Sequence, residues 1–338
     1  ELTRQPLCDD CQGARLAPVS RAVTFERTKL HELTGMTVAQ AAEFVRTIKL
    51  DIAPEAAQAA QSILPEVASR LDFLLRVGVD YLTLDRPTPT LSGGEFQRAR
   101  LASSLGSGLI GICYVLDEPT IGLHSRDTSR MIEVLKDLRD RGNSVLVVEH
   151  DVDLMRASEW LVDLGPGAGK EGGTLIWSGP SDEIAGESPT AAALSTTVST
   201  AMLEAVQSDE AATARKRIAD FEQRLRLEGA SRHNLKDVTV DIPLGVLTVV
   251  TGVSGCGKSS LITHSLIPAA RHAIDEFWRG PRQTSEDSIR PPTDLTQLDI
   301  ACRSISGTEY VDRLVVVDQS PIGRSGRSNP ATHTGMWD

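Results

Sequence analysis

Along the first ninety residues the apolar positions recur at the spacing of helices. Thr37-Val-Ala-Gln40 reads as a capping box, and Ala41, Ala42, Phe44, Val45 and Ile48 follow it on one helical stripe. A second helix is expected from Pro54 to Arg76, before the turn-rich stretch Asp85-Arg-Pro-Thr-Pro-Thr90. From 91 to about 186 helix and strand patterns alternate. Gly111–Leu116 and Ser144–Val148 are short and rich in Val, Ile and Leu, as buried parallel strands are. Between them, Ser125–Arg141 keeps a helical period with its charges to one side. Residues 187–224 change character, first to Ser, Thr and Ala, then to a charged helical stretch, Ala211–Arg226, and are read as a linker. A fresh α/β unit then begins, with strands near Val238–Ile242 and Val246–Thr251, a glycine loop and a helix from Lys258. The polar stretch Arg279–Thr296 is expected to be an exposed excursion, and Arg313–Asp318 a last apolar strand before a Gly/Ser/Arg-rich loop.

The chain has 338 residues, enough for roughly two domains. A net charge of −11 argues against coating nucleic acid through bulk positive charge, so any such contact must come from local patches. Five cysteines do not make a disulfide framework at this size, and a reducing compartment suits them. No apolar run approaches the roughly 20 residues that span a bilayer, and no signal peptide is visible. A cytoplasmic chain with no membrane partner is expected. The first residue is Glu1, so the true N-terminus is expected to lie upstream.

Gly252-Val-Ser-Gly-Cys-Gly-Lys-Ser259 fits GxxxxGK[ST], with a strand candidate before it and a helix candidate, Ser260–Leu266, after it. Glycines let backbone N–H groups turn inward around phosphates, and the helix start adds a favourable dipole. Gly252, Ser254, Gly255, Gly257, Lys258, Ser259 and Ser260 are therefore candidate nucleotide-binding residues. Lys258 would bridge the terminal phosphates and Ser259 would hold Mg²⁺. A chance glycine turn is the plain alternative, and the flanking strand and helix count against it. Cys256 reads as a small spacer rather than a nucleophile.

Leu91-Ser-Gly-Gly-Glu-Phe-Gln-Arg98 opens a helix on a serine and two glycines, Ser92, Gly93 and Gly94, which can present a hydroxyl and N–H groups to an anion. Ile112-Cys-Tyr-Val-Leu-Asp117-Glu118-Pro119 is an apolar strand ending in adjacent carboxylates. One of these can hold Mg²⁺ and its neighbour can polarise an attacking water. Val145-Leu-Val-Val-Glu-His150-Asp151 sets a histidine just beyond another buried strand. Each has a bland reading: a weak signal by itself at the helix start, a solvated turn at the acidic pair, a structural histidine beyond the strand. Their order outweighs it.

Together these residues resemble the ABC ATPase family. The resemblance implies an α/β P-loop NTPase fold, a signature loop at Ser92–Gly94, Mg²⁺ at Asp117, catalytic Glu118, a D-loop at Ile121-Gly-Leu-His124, and His150 as switch histidine. In the family the phosphate loop precedes the signature, whereas here it follows His150. A circularly permuted module and two half-modules in tandem are the two explanations, and the linker favours the second. On that reading 1–90 is a helical signature subdomain, 91–186 the back half of a first module, 187–224 a linker and 225–338 the front half of a second. Gln319 stands where a Q-loop would, as a nucleotide and Mg²⁺ ligand. Composite sites in the family then imply that Lys258, Ser259 and Gln319 share one nucleotide with Ser92, Gly93 and Gly94. Asp117, Glu118 and His150 would serve another, so neither hydrolytic site is expected to be complete in this chain.

Further strings are similar to the UvrA family in particular: Cys8-Asp-Asp-Cys-Gln-Gly-Ala-Arg-Leu16, Val79-Asp-Tyr-Leu-Thr-Leu-Asp-Arg86, Asp163-Leu-Gly-Pro-Gly-Ala-Gly169, Asn234-Leu-Lys, Gly252-Val-Ser-Gly, and Asp318-Gln-Ser-Pro-Ile-Gly-Arg324 with Arg327-Ser-Asn-Pro-Ala-Thr332. That resemblance implies a homodimeric, ATP-dependent sensor of damaged duplex DNA in nucleotide excision repair and the SOS response. Such a sensor loads a UvrB-like helicase subunit and leads to recruitment of the excinuclease without cutting DNA itself. UvrA-like paralogues in resistance to DNA-binding drugs, and soluble ABC proteins acting on ribosomes, are the alternatives. A transporter's nucleotide-binding subunit would show one module in normal order. Cys8 and Cys11 form CxxC, half of a structural zinc site needing four ligands, or a free thiol pair at a turn. The residues offer few DNA contacts: Arg324 and Arg327 in a loop, Arg98 and Arg100 on the signature helix, with surface solubility the plain alternative.

Overall fold

A computed structural model describes residues 8–14, 16–48, 54–106, 109–123, 125–184, 188–196, 223–279, 292–296, 298 and 300–318. The chain divides into two compact units, residues 1–108 with 319–338, and 109–318.

Among its described residues the first unit is helical apart from a two-stranded ribbon, β1 (Thr24–Phe25) and β2 (Thr28–Lys29), which pair antiparallel. Its helices are Pro18–Ala22, Leu30–Gly35, Val38–Thr47, Pro54–Arg76 and Gly93–Gly106. The expected capping box is formed. Gln40 N–H donates to the Thr37 hydroxyl at 3.2 Å, and Thr37 N–H donates to Gln40 Oε1 at 3.0 Å. The apolar stripe behind it is buried at Val38, Ala41, Ala42 and Val45. It packs on Pro54–Arg76, which in turn packs on Gly93–Gly106. Leu71, Leu74, Leu82, Phe96 and Leu101 complete that core, each worth about 1.5–3 kcal/mol on burial.

The second unit holds two sheets. In the larger, β3 (Ile112–Asp117), β4 (Ser144–Val148), β5 (Trp160–Gly165), β6 (Thr174–Pro180), β9 (Leu247–Gly252) and β12 (Arg313–Val317) lie in the order β12-β3-β4-β9-β5-β6. All neighbours are parallel except β5 and β6. β3, β4, β5 and β9 are buried along almost their whole length, as helix-covered parallel strands must be. Alternate residues divide the burial. Cys113, Val115, Leu146, Val148, Val162 and Val250 join one core with the helical stretch 258–279 and the smaller sheet. The helix Ser125–Asp140 packs on β4 and buries Met131, Val134, Leu135 and Leu138. The smaller sheet is antiparallel: β7 (Arg224–Ala230), β8 (Val238–Pro243), β10 (Thr293–Asp294) and β11 (Ser304–Ser306) in the order β10-β11-β7-β8.

The α/β class read from the pattern is the class observed, and β4 has the expected bounds. So does the helix Pro54–Arg76, while other segments differ. Residues 224–226, expected at the end of a charged helix, begin β7, because Leu225 and Leu227 alternate inward while Arg226 pairs with Asp241 and Glu228 on the outside. Within the expected linker, Pro189–Thr196 is helical. Residues 197–222 of that linker, most of the 279–296 excursion, Gln319, Arg324 and Arg327 lie outside the described residues. Among the described residues no helix is long and apolar enough to cross a membrane.

Candidate nucleotide site

Because β12, β3, β4, β9 and β5 all run the same way, their carboxyl ends fall on one edge of the sheet, where ligands of open α/β sheets bind. Asp117 ends β3 and Glu118 follows it, Glu149 and His150 follow β4, and the 252–259 loop follows β9. Residues expected to serve two different nucleotides therefore share one edge in the second unit. The reason is topological: β9, from the later segment, inserts between β4 and β5 of the earlier one.

The loop has the conformation that its glycines permit. Gly252 has φ 136°, and a side chain there would run into the Leu164 carbonyl and the Cys256 sulfur. Gly257 has φ 118° and caps the helix beginning at Lys258 without any side-chain hydrogen bond. The ammonium of Lys258 folds back on the loop, donating to the carbonyls of Gly252 at 2.8 Å and Val253 at 3.2 Å. Phosphate oxygens would take over those bonds. Ser254 and Gly255 form the outer bend, and Ser259 and Ser260 lie in the first helical turn. The helical stretch contains a π turn at Ile262–Leu266, where the buried Ser265 hydroxyl donates to the Ser260 carbonyl at 2.9 Å. Cys256 is fully buried, and burial pushes its thiol up, which suits a spacer and not a nucleophile.

At the acidic end, burial raises the Asp117 carboxyl, and the charges of Glu118, Asp318 and Glu149 raise it further against the pull of Lys258. A cation beside Asp117 would relieve that repulsion. Glu118 sits at φ 47°, a left-handed conformation held by its N–H donating to Val148 O at 2.9 Å. The His150 ring, 66% exposed, has Nδ1 at 4.0 Å from Glu118 and 3.6 Å from Glu149.

Glu149 is the residue that the motif reading missed. Wholly buried, its carboxylate accepts from the Thr120 N–H at 3.0 Å and the Thr120 hydroxyl. It also accepts from the N–H groups of His150 at 2.7 Å and Asp151 at 3.2 Å. One side chain thus ties the turn after β3 to the turn after β4, fixing Glu118 and His150 together. The signal was an ionisable residue continuing an apolar strand, which burial allows only if it is fully bonded.

In the first unit, the Ser92-Gly93-Gly94 segment opens its helix on a closed capping box. Ser92 N–H donates to Glu95 Oε2 at 2.7 Å and Glu95 N–H donates to the Ser92 hydroxyl at 3.3 Å. The Tyr81 hydroxyl donates to the other Glu95 oxygen at 2.9 Å. Although burial pushes the Glu95 carboxyl up, the bonds from Ser92 and Tyr81 outweigh it and hold it below its ordinary value. Arg98, considered for surface contact, is buried at 5% exposure. It is therefore not a DNA-facing cation as it stands.

Cys8 and Cys11 share one turn, and the Cys11 backbone N–H is the chief cause of a lowered Cys8 thiol. Among the described residues no group of three or more His, Cys, Asp or Glu is placed to hold a metal ion, so the pair makes at most half a zinc set.

No family model matches the chain. It is 44% identical over 331 residues to UvrABC system protein A of Escherichia coli (strain K12), covering 98% of this chain and 32% of that protein. The Haemophilus influenzae protein of the same name is 44% identical over 333 residues, with the same coverage of each chain. That of Mycobacterium bovis is 42% identical over 339 residues, again covering 98% of this chain and 32% of the relative. Among solved structures, UvrA2 from Deinococcus radiodurans matches with a TM-score of 0.52 and 37% identity, over 98% of this chain and 37% of that one. The chain spans about a third of the length of these relatives. Nearly the whole chain is thus strongly homologous to about a third of UvrABC system protein A.

Proposed function

We propose that this chain is part of an ATP-binding and ATP-hydrolysing DNA-damage recognition subunit of bacterial nucleotide excision repair. The carrying observation is the sheet edge that gathers Lys258, Ser259, Asp117, Glu118 and His150. The homology to UvrABC system protein A supports the repair role. Lys258 would hold the terminal phosphates. Mg²⁺, held by Asp117 and Ser259 and, beyond the described residues, Gln319, would neutralise phosphate charge. Glu118 would polarise the attacking water, with His150 beside it to follow the terminal phosphate.

Residues 109–186 and 224–318 complete one sheet as two halves of one ABC module would, which supports reading each as an ABC half. In a protein of the relatives' full length each half would have a complement of its own. There Ser92, Gly93 and Gly94 would face the nucleotide of Lys258. Nucleotide would clamp two modules together on damaged duplex, in a homodimer that loads a UvrB-like helicase subunit, and hydrolysis would release the grip. Cys8 and Cys11 would supply two ligands to a zinc ion completed elsewhere.

The test is binding of the full-length protein to duplex DNA with and without one bulky lesion, with ATP at fixed salt. Lesion preference lost on Lys258→Ala supports the repair reading and ties it to this loop. Equal, weak binding to both duplexes rejects the repair reading in favour of drug resistance or ribosome action. In the same protein Glu118→Gln is expected to trap nucleotide. Unchanged turnover would remove Glu118 from the role of base.

A further inference from the structure

Two segments distant in the chain, 169–173 and 234–236, meet on the outer rim of the 252–259 loop. Asn234, between β7 and β8, uses both hydrogens of its carboxamide: Nδ2 donates to the carbonyls of Gly169 and Gly255, each at 3.1 Å. Both partners are acceptors, so only the amide nitrogen can face them. Gly169 N–H donates to the same Gly255 carbonyl at 3.0 Å. Gly173 N–H donates to the Cys256 carbonyl at 2.8 Å, and Lys236 N–H to the Gly173 carbonyl at 2.8 Å. The carbonyls of Gly255 and Cys256 are thereby held outward. In a trans peptide the following N–H points the opposite way, so the Gly257 N–H is turned toward the inside of the loop.

We infer that Asn234 is a positioning residue for the phosphate loop, holding it open for the phosphates of a nucleoside di- or triphosphate without touching the ligand. This rests on reading the loop as a nucleotide site. The Cys256 N–H already closes on the Val253 carbonyl at 3.2 Å; inward N–H groups without a ligand favour such closure, and the rim bonds oppose its spread from outside. Asn234-Leu-Lys and Gly165-Pro-Gly-Ala-Gly169 are then one device: the first string supplies the clamp and the second its anchorage.

The experiment titrates Mg-ADP and Mg-pyrophosphate into wild-type chain, Asn234→Ala and Asn234→Asp, and records melting without ligand. Asn234→Ala should weaken both ligands by the same factor, about tenfold for the lost hydrogen bonds. Asn234→Asp keeps the shape but lacks the donors, and it should weaken both at least as much, also at high salt where the added charge is screened. It serves as the test should the alanine variant lack a cooperative melt. Unchanged affinity in folded variants overturns the clamp. So does a loss for ADP without a loss for pyrophosphate, which would mean contact with the nucleoside. Wild-type chain that binds neither ligand overturns the nucleotide reading itself, and the clamp with it.

Discussion

The chain has two helix starts of similar sequence, Ser92-Gly93-Gly94-Glu95 and Gly255-Cys256-Gly257-Lys258, and they are finished differently. The first is sealed by its own side chains: the Ser92 and Glu95 N–H groups are both taken within the capping box, and Tyr81 holds the glutamate in place. The second has glycine at its cap, no side-chain cap, and a lysine resting on loop carbonyls. A helix start that satisfies its own donors is a structural element that can meet a ligand only with what it leaves over. One that leaves them open, propped from outside, is a binding site in waiting. Glycine content does not separate the two; the capping partner does.

Four substitutions would break or sharpen that contrast. Glu149→Leu should cost the most, about 3 kcal/mol by denaturant unfolding, since Thr120, His150 and Asp151 lose a buried charged acceptor. A loss under 1 kcal/mol would mean the two turns do not depend on it. Gly257→Ala should cost about 2 kcal/mol, because φ 118° strains any side chain and the new methyl would meet Leu235 and Asn234. Unchanged stability there would mean that the loop is not held in the conformation described.

Glu95→Ala should destabilise by about 1 kcal/mol at neutral pH, the usual value of a cap. Glu95 is lowered in the fold, so its contribution is present above the ordinary carboxylate range and is lost as pH falls through its folded value. The gap between wild type and Glu95→Ala should therefore close in acid. A gap independent of pH would assign the effect to packing. Asp117→Asn has the opposite sign. Since burial and neighbouring carboxylates raise Asp117, removing its charge should raise the melting temperature of nucleotide-free protein at neutral pH by a small amount while weakening Mg-nucleotide binding. A lower melting temperature would contradict the repulsion inferred at that strand end.

What could be read in the sequence was local. The Thr37–Gln40 box, the helix Pro54–Arg76 and β4 each carry their own signal in spacing and capping. The 252–259 loop was legible because its flanks matched its motif. Strand pairing over long separations was not legible. Nothing local says that Leu227 faces Ile305 or that β9 enters between β4 and β5. That insertion is why residues expected at separate nucleotides share an edge. β7 was concealed by its arginines, though Arg224-Leu-Arg-Leu alternates with the period of a strand. The contacts of Glu149 and Asn234 were not legible for the same reason: each acts on backbone groups that only the fold brings near.

The most direct test of the central claim is titration of Mg-ATP into this chain and into Lys258→Ala, followed by calorimetry. The account predicts saturable binding at one site, weakened about a hundredfold in Lys258→Ala, the scale of losing a charged ligand to phosphate. Equal affinity in the two proteins would contradict it.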